Sequence, residues 1–328
     1  MNFKSLPNDK VECFALVKKA EVKTSTKGGK YLDIILSDKD GEINGKYWDY
    51  VDGTTPDFPQ NSVVKVRGTL NDFKGTTQLR IELIRATVPT DCIDVEDLVR
   101  TAEYRCEDMF AEICTMFCRF KDEDLKNICL KVYEDNRKKL LYFPAAVKLH
   151  HAMRGGLLYH TLSIMKTADA VCSVYPLVDR DLLLAGASLH DIGKTVEMDA
   201  NSLGLASEYT VDGNLIGHLV RGAMMVRKCG EEIGIPDEKI RLLEHMLLSH
   251  HGSPEFGSAV RPMFTEAMIL SALDELDAKI YEFSEITGEI DAGTFSGRQW
   301  ALDDIKVYNH GRTEIKPKAE LLSEDADE

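Results

Sequence analysis

Eight of the nine histidines of this chain fall at positions 150, 151, 160, 190, 218, 245, 250 and 251. One histidine in a helix is ordinarily a surface or satisfied core residue. This density, joined by the adjacent pair His190 and Asp191 and by Asp274 farther on, predicts a metal site. Imidazoles together with carboxylates suit divalent ions of borderline to hard character, which keep open positions for water and a phosphate oxygen. Without such an ion, a buried cluster of His and Asp would be expensive to desolvate. Neighbours on a helix point about 100° apart, so His190 and Asp191 converge only where a helix ends, and Gly193 is expected to supply a left-handed stop there.

The elements that must position these residues read as helices. Apolar residues recur at three- and four-residue steps over 91–140, 157–175, 181–189, 215–233, 237–249 and 264–283, with breaks at Pro144, Gly155-Gly156, Pro176, Gly193, Pro236 and Pro254. An all-helical domain over 91–310 is expected, followed by a polar, acidic and solvated tail over 311–328.

Before Thr90 the texture is short, β-branched and alternating: VECFALV, YLDIILS, EINGKYWDY, SVVKVRGTL and TTQLRIELI. Turn signals such as Lys27-Gly28-Gly29 and Lys74-Gly75 separate them. Five antiparallel strands in so short a stretch suit a small closed barrel, an OB-fold over 1–90, because closure removes exposed sheet edges. Lys46, Trp48 and Tyr50 alternate onto one face of the third strand, with Phe14, Tyr31 and Phe73 elsewhere. Stacking of bases on such aromatics, backed by Lys18, Lys19, Lys23, Lys27 and Lys30, would hold a single strand of nucleic acid. The alternative is that Trp48 and Phe14 fill the barrel, in which case Tyr47 is the ring left for ligand.

The formal charge of −15 is divided unevenly. Residues 1–90 carry a net +2 and the remainder −17, so the barrel is the part a polyanion approaches without a bulk electrostatic penalty. Composition is that of a soluble globular chain, 44% hydrophobic and 29% charged. No run reaches the roughly 20 apolar residues of a membrane span, and the start, MNFKSLPNDKVECF, lacks a secretory apolar region. A cytoplasmic location is expected. The eight cysteines form no CxxC pair, which argues for reduced thiols and against a zinc ribbon. No GxxxxGK[ST], GxGxxG or GxSxG is present, so triphosphate motors, dinucleotide redox enzymes and serine hydrolases find no support.

With these residues in order, the chain resembles the HD superfamily of metal-dependent phosphohydrolases. The matching positions are His160 in GGLLYHTLSI, His190 and Asp191 in HDIGK, His218 in GHLVRG, His250 and His251 in LSHHG, and Asp274 in ALDELDAK. A five-strand barrel ahead of this domain, with the GGLLxHTL, HDIGK and SHHG contexts, is similar to the YhaM-type 3′-to-5′ exoribonucleases over about residues 5–310. That resemblance implies a divalent-metal enzyme, commonly using manganese, that removes nucleotides from the 3′ end of single-stranded RNA and sometimes DNA.

The resemblance also assigns residues. It makes His160, His190, Asp191 and Asp274 the ligands of a first ion, with Asp191 bridging, and matches His218, His250 and His251 to a second. With one ion, those three would instead meet phosphate or donate protons. Lys194 would touch the scissile phosphate, or else be a solvated lysine at a helix end. Asp277, one turn after Asp274, could take its place. From the residues alone, His150, His151 and Arg154 would form a cationic lip for phosphates or an exposed polar turn, the terminal nucleotide would sit near Lys194 or Arg221, and His245 would support a ligand from behind or be structural. The other readings are an HD-type nucleotide or cyclic-nucleotide phosphohydrolase and a non-catalytic nucleic-acid-binding protein. A homo-oligomer stays open.

Overall fold

The structure, a computed structural model, describes residues 10–73, 75–147 and 151–312. The expected tail beyond 312, Lys74 of one turn signal and His150 lie outside the described residues. The chain divides into two compact units, 1–101 and 102–328.

The first unit is a closed five-strand barrel in the order β1-β2-β3-β5-β4. Its strands are β1 (Lys10–Thr24), β2 (Lys30–Ser37), β3 (Glu42–Tyr47), β4 (Val63–Phe73) and β5 (Thr76–Ala86). All neighbours are antiparallel except β3 and β5, which run parallel where the barrel closes. Alternation sends Leu32, Ile34 and Leu36 of β2, Val64 and Val66 of β4, and Leu79 and Ile81 of β5 inward. A bulge in the β4–β5 register at Arg67/Gly68 then shifts the phase, which is why Ile84 is buried and Leu83 exposed. Gly68 is required there, since a Cβ would lie 2.2 Å from the Arg80 carbonyl oxygen.

The helical reading of 91–105 does not hold. Asp91 accepts from the Val88 amide and from both terminal nitrogens of Arg85, and Asp94 accepts from the Glu96 amide. These side chains satisfy backbone donors locally, so the segment forms only a 3-10 turn at Val95–Asp97. Leu98 and Val99 are buried without a helix.

The second unit is helical, as expected: α1 (Cys106–Cys118), α2 (Glu123–Leu140), α3 (Gly156–Val174), α4 (Arg180–Leu189), α5 (Lys194–Glu197), α6 (Val211–Leu215), α7 (Gly217–Glu232), α8 (Asp237–Ser249) and α9 (Thr265–Gly288). Two hairpins absent from the sequence reading interrupt it, β6 (Met198–Ala200) with β7 (Ala206–Tyr209), and β8 (Phe295–Gln299) with β9 (Ile305–Tyr308). Helix α4 is the core helix, with Leu182 through Leu189 all buried, as its unbroken run of apolar and small residues demands. It packs so closely on α8 that a Cβ on Gly186 would sit 2.1 Å from Met246 Cε. One end of α4 therefore delivers its last residues deep into the unit.

Candidate metal centre

His190 caps the C-terminus of α4 and Asp191 follows it in the turn, so the adjacent pair converges as the sequence requires. Gly193 is not the left-handed stop expected of it: its φ is −62°. It is needed for approach, because a Cβ would lie 2.1 Å from the His218 carbonyl oxygen. The turn carrying His190 and Asp191 is thereby pressed against the start of α7. Gly155 and Gly156 act similarly, a Cβ on the second meeting the His151 carbonyl oxygen at 2.0 Å, and they set α3 so that His160 is fully buried.

Four side chains meet at one point. His160 Nε2 lies 3.2 Å from His190 Nε2, 3.2 Å from Asp274 Oδ1 and 3.6 Å from Asp191 Oδ2. His190 Nε2 lies 3.4 Å from Asp191 Oδ2 and 3.7 Å from Asp274 Oδ1. The other oxygen of Asp191 faces a different set: Oδ1 is 3.6 Å from His218 Nε2 and 3.7 Å from His250 Nε2. Ring nitrogens of His218, His250 and His251 lie within 4.8 Å of one another.

Each of four imidazoles is held from behind. His160 Nδ1 contacts Asp277 Oδ2 at 2.7 Å, His190 Nδ1 the Ala187 carbonyl at 2.8 Å, His218 Nδ1 Glu197 Oε1 at 2.9 Å and His250 Nδ1 the Leu247 carbonyl at 2.8 Å. With Nδ1 donating, every Nε2 is turned inward as an acceptor, the arrangement that outer hydrogen bonds impose on metal-ligating histidines. His218 Nε2, His250 Nε2 and Asp191 Oδ1 are buried with no hydrogen-bond partner among the described residues. Three acceptor atoms converging without a donor need a cation, and the donor set of imidazoles and carboxylates fits a divalent one.

The electrostatics agree. Burial alone would raise the Asp191 carboxyl, but Lys194, His190 and His218 hold it well below the usual carboxylate range. Burial also opposes ionisation of Asp274, yet His160, His190 and His250 keep it depressed. The His250 imidazole is driven well below its ordinary value, mainly by burial, so it stays neutral with Nε2 free to accept. Lys194 is half-buried, with Nζ 2.5 Å from Asp191 Oδ2. It faces a cavity of about 760 Å³ that is also lined by His218, His250, His251 and Asp274.

Other expected residues fall differently. His151 is 2% exposed, with Nε2 3.0 Å from Asp277 Oδ2, so it belongs to neither a cationic lip nor an exposed turn. The reason is Asp277, which does not replace Asp274 but stands behind His160 and His151. Arg154 donates to the Ser202 carbonyl at 2.6 Å, and Arg221 pairs with Asp212. His245 accepts from the Met263 amide and packs on Phe264, a structural role as expected. Glu197 was missed altogether; its only sequence signal was an acid inside the otherwise apolar TVEM.

On the barrel, β3 ends at Tyr47, so Trp48 and Tyr50 do not continue its alternation. Tyr47 and Tyr50 pack against the barrel core. Trp48 does not fill the barrel: it is 48% exposed and stacks on Tyr31 at 4.4 Å. Tyr31 therefore joins the same face. Lys46 lies 5.6 Å over the Tyr31 ring, and with Lys23 it pairs with Asp33.

No described helix is long and apolar enough to cross a membrane. Residues 157–279 match the HD domain family, and residues 16–86 match the OB-fold nucleic acid binding domain family. The chain is similar to a protein of Listeria welshimeri named 3′-5′ exoribonuclease YhaM, with 36% identity over 302 residues, which covers 91% of this chain and 95% of that one. Among solved structures, the second OB-fold domain of replication protein A from Methanococcus maripaludis aligns at 18% identity over 29% of this chain and 100% of that one, with a TM-score of 0.21. A replication protein A heterotrimer bound to single-stranded DNA aligns at 20% identity over 24% of this chain and 58% of that one, with a TM-score of 0.20. Matched by a relative of this identity across nearly its full length, the chain belongs to the YhaM family of 3′-5′ exoribonucleases.

Proposed function

We propose that this protein hydrolyses single-stranded RNA from the 3′ end to nucleoside 5′-monophosphates, using two divalent ions, manganese by preference, and that it works in the cytoplasm. The observation that carries the reading is Asp191, whose Oδ2 faces His160 and His190 and whose Oδ1 faces His218 and His250, with His250 also close to His190 and Asp274. His160, His190 and Asp274 with Oδ2 would hold one ion, and His218, His250 and His251 with Oδ1 the other. Ions held there supply Lewis acidity toward water and toward a phosphate oxygen.

The chain's own residues do the rest. Lys194 sets a cation at the cavity wall beside the nonbridging oxygens of the scissile phosphate, where charge develops in the transition state. Its pKa is raised, burial being outweighed by Asp191, so it stays charged. Asp277 and Glu197 fix the rings of His160 and His218. The cavity lined by Lys194, His218 and Asp274 takes the terminal nucleotide. On the barrel, Trp48 stacked on Tyr31, with Lys46 alongside, would hold the upstream strand by base stacking. Single-stranded DNA would bind the same face, since stacking does not require a 2′-hydroxyl. No disulfide joins the cysteines of the described residues, in keeping with a reducing compartment.

The test is an oligoribonucleotide labelled at its 5′ end, incubated with manganese, beside 3′-phosphorylated and circular versions. A ladder shortening from the 3′ end, slowed by the 3′-phosphate and absent on the circle, is expected. Rapid cleavage of the circle, hydrolysis of free nucleotides alone, or binding without cleavage would overturn the proposal.

A further inference from the structure

The cavity in front of the metal centre has two aromatic residues at its wall that the proposed chemistry leaves unused. Tyr209 and Phe256 line it together with Lys194, His218 and Asp274, yet they are 49% and 78% exposed. A phenylalanine ring left in water beside a polar centre forgoes the burial that normally stabilises it. Much of the remaining lining is small, with Ala145, Ala146, Gly252 and Ala278, which leaves room for a planar ring.

Both aromatics are rigidly mounted. Phe256 ends a 3-10 turn that begins with Pro254 and is closed by Gly257 at φ +99°. Its amide donates to the Ser253 carbonyl at 3.0 Å, and the Ala259 amide just beyond it donates to the Leu248 carbonyl of α8 at 3.0 Å. Tyr209 pairs with Met198 in the β6–β7 hairpin, and the next residue, Thr210, donates from its amide to the Glu197 carbonyl at 2.9 Å. Glu197 in turn grips His218. The backbone at each aromatic is thus tied through a few bonds to the elements that carry His218 and His250.

We infer that Tyr209 and Phe256 form the seat of the base of the 3′-terminal nucleotide, gripping it through its π-face so that the phosphate above it reaches the centre. Every base offers such a face, so the seat tolerates all four bases, as an enzyme removing successive nucleotides requires. The inference rests on the exonuclease reading and adds to it the residues that locate the leaving nucleotide.

The experiment compares kcat/KM for one oligoribonucleotide with a normal and with an abasic 3′-terminal residue. Wild type should lose roughly 10- to 100-fold on the abasic end, the scale of one lost base stack. F256A and Y209A should each lose activity on the normal end and discriminate much less against the abasic one, with Phe256→Trp and Tyr209→Phe restoring discrimination. Phe256→Leu keeps apolar bulk without the aromatic face and should resemble F256A. A manganese-dependent rise in Tm equal to that of wild type shows that each variant is folded and loaded. Discrimination undiminished in the alanine variants, or a penalty that instead follows an abasic site one nucleotide upstream, overturns the seat. If wild type shortens neither substrate, the exonuclease reading fails and the seat with it; if it shortens both equally, only the seat fails.

Discussion

Glu197 holds His218 twice, accepting from its backbone amide at 3.0 Å and from its ring Nδ1 at 2.9 Å. One carboxylate oxygen thereby fixes both the start of α7 and the direction in which His218 Nε2 points. Glu197→Ala should weaken the ion facing His218 by about 10- to 100-fold, the usual cost of losing such an outer partner, while the ion facing His160 is retained. Calorimetric manganese titration should then resolve one unchanged and one weakened step. Two unchanged steps would show that Glu197 only supports the fold.

Asp191→Asn keeps the side-chain volume but removes the charge shared between the two histidine sets. Hydrolysis should fall by about a thousandfold or more, the scale of several kcal/mol of metal-assisted catalysis, and oligonucleotide binding at the barrel should persist. His190→Ala should behave alike. Turnover near that of wild type at saturating manganese would refute the bridging role.

Chelation should destabilise the helical unit, because it leaves His218 Nε2, His250 Nε2 and Asp191 Oδ1 buried without a partner. Manganese at about 100 times its Kd adds about 2.7 kcal/mol, or roughly 5 to 10 °C in Tm for a unit of this size. Differential scanning calorimetry with manganese or with chelator reads this directly. The shift should vanish in Asp191→Asn.

Asp33 pairs with two lysines of the barrel, Lys23 and Lys46. Burial works against its ionisation, but Lys23, Lys46 and Asn44 pull its carboxyl down to about 2. Its folded value lies below its unfolded one, so its contribution to stability is complete above about pH 4 and is lost as pH falls from there toward 2. Asp33→Asn should flatten that part of the acid-stability curve. It should also release Lys46, while Lys23 keeps its contact with Glu21, tightening single-strand binding and steepening the salt dependence by about 0.7 per phosphate gained. Unchanged salt dependence would mean that Lys46 does not meet the strand.

The two units have separate hydrophobic cores, so a chain beginning at Ala102 should fold alone and still cleave short substrates slowly. It should lose affinity for long single strands, and Trp48→Ala in the full chain should reproduce part of that loss, roughly 5- to 100-fold in Kd. An equal KM for long RNA with and without residues 1–101 would remove the barrel from the mechanism.

The candidate ligands were legible in the sequence because each carries its context locally: HDIGK at a helix end, SHHG at another, and Asp274 one turn before Asp277. The barrel was legible through its alternation, and the long helices through their period, since both reflect which residues must leave water. Misreadings arose where a local pattern had competing uses. Leu98 and Val99 sit at helical spacing but are buried beneath turns that Asp91 and Asp94 close, and Gly193 looked like a stop but serves close approach.

What only the tertiary structure decided is which atom faces which. Asp191 presents different oxygens to His160 and His218, Asp277 stands behind His160 rather than replacing Asp274, and Trp48 lies outside the barrel on Tyr31. Tyr209 and Phe256 meet at one cavity although 47 positions separate them. Periodicity records only whether a side chain is buried. Its direction and its distant partner follow from how α3, α4, α7, α8 and α9 pack, and that is set by contacts among residues far apart in the chain.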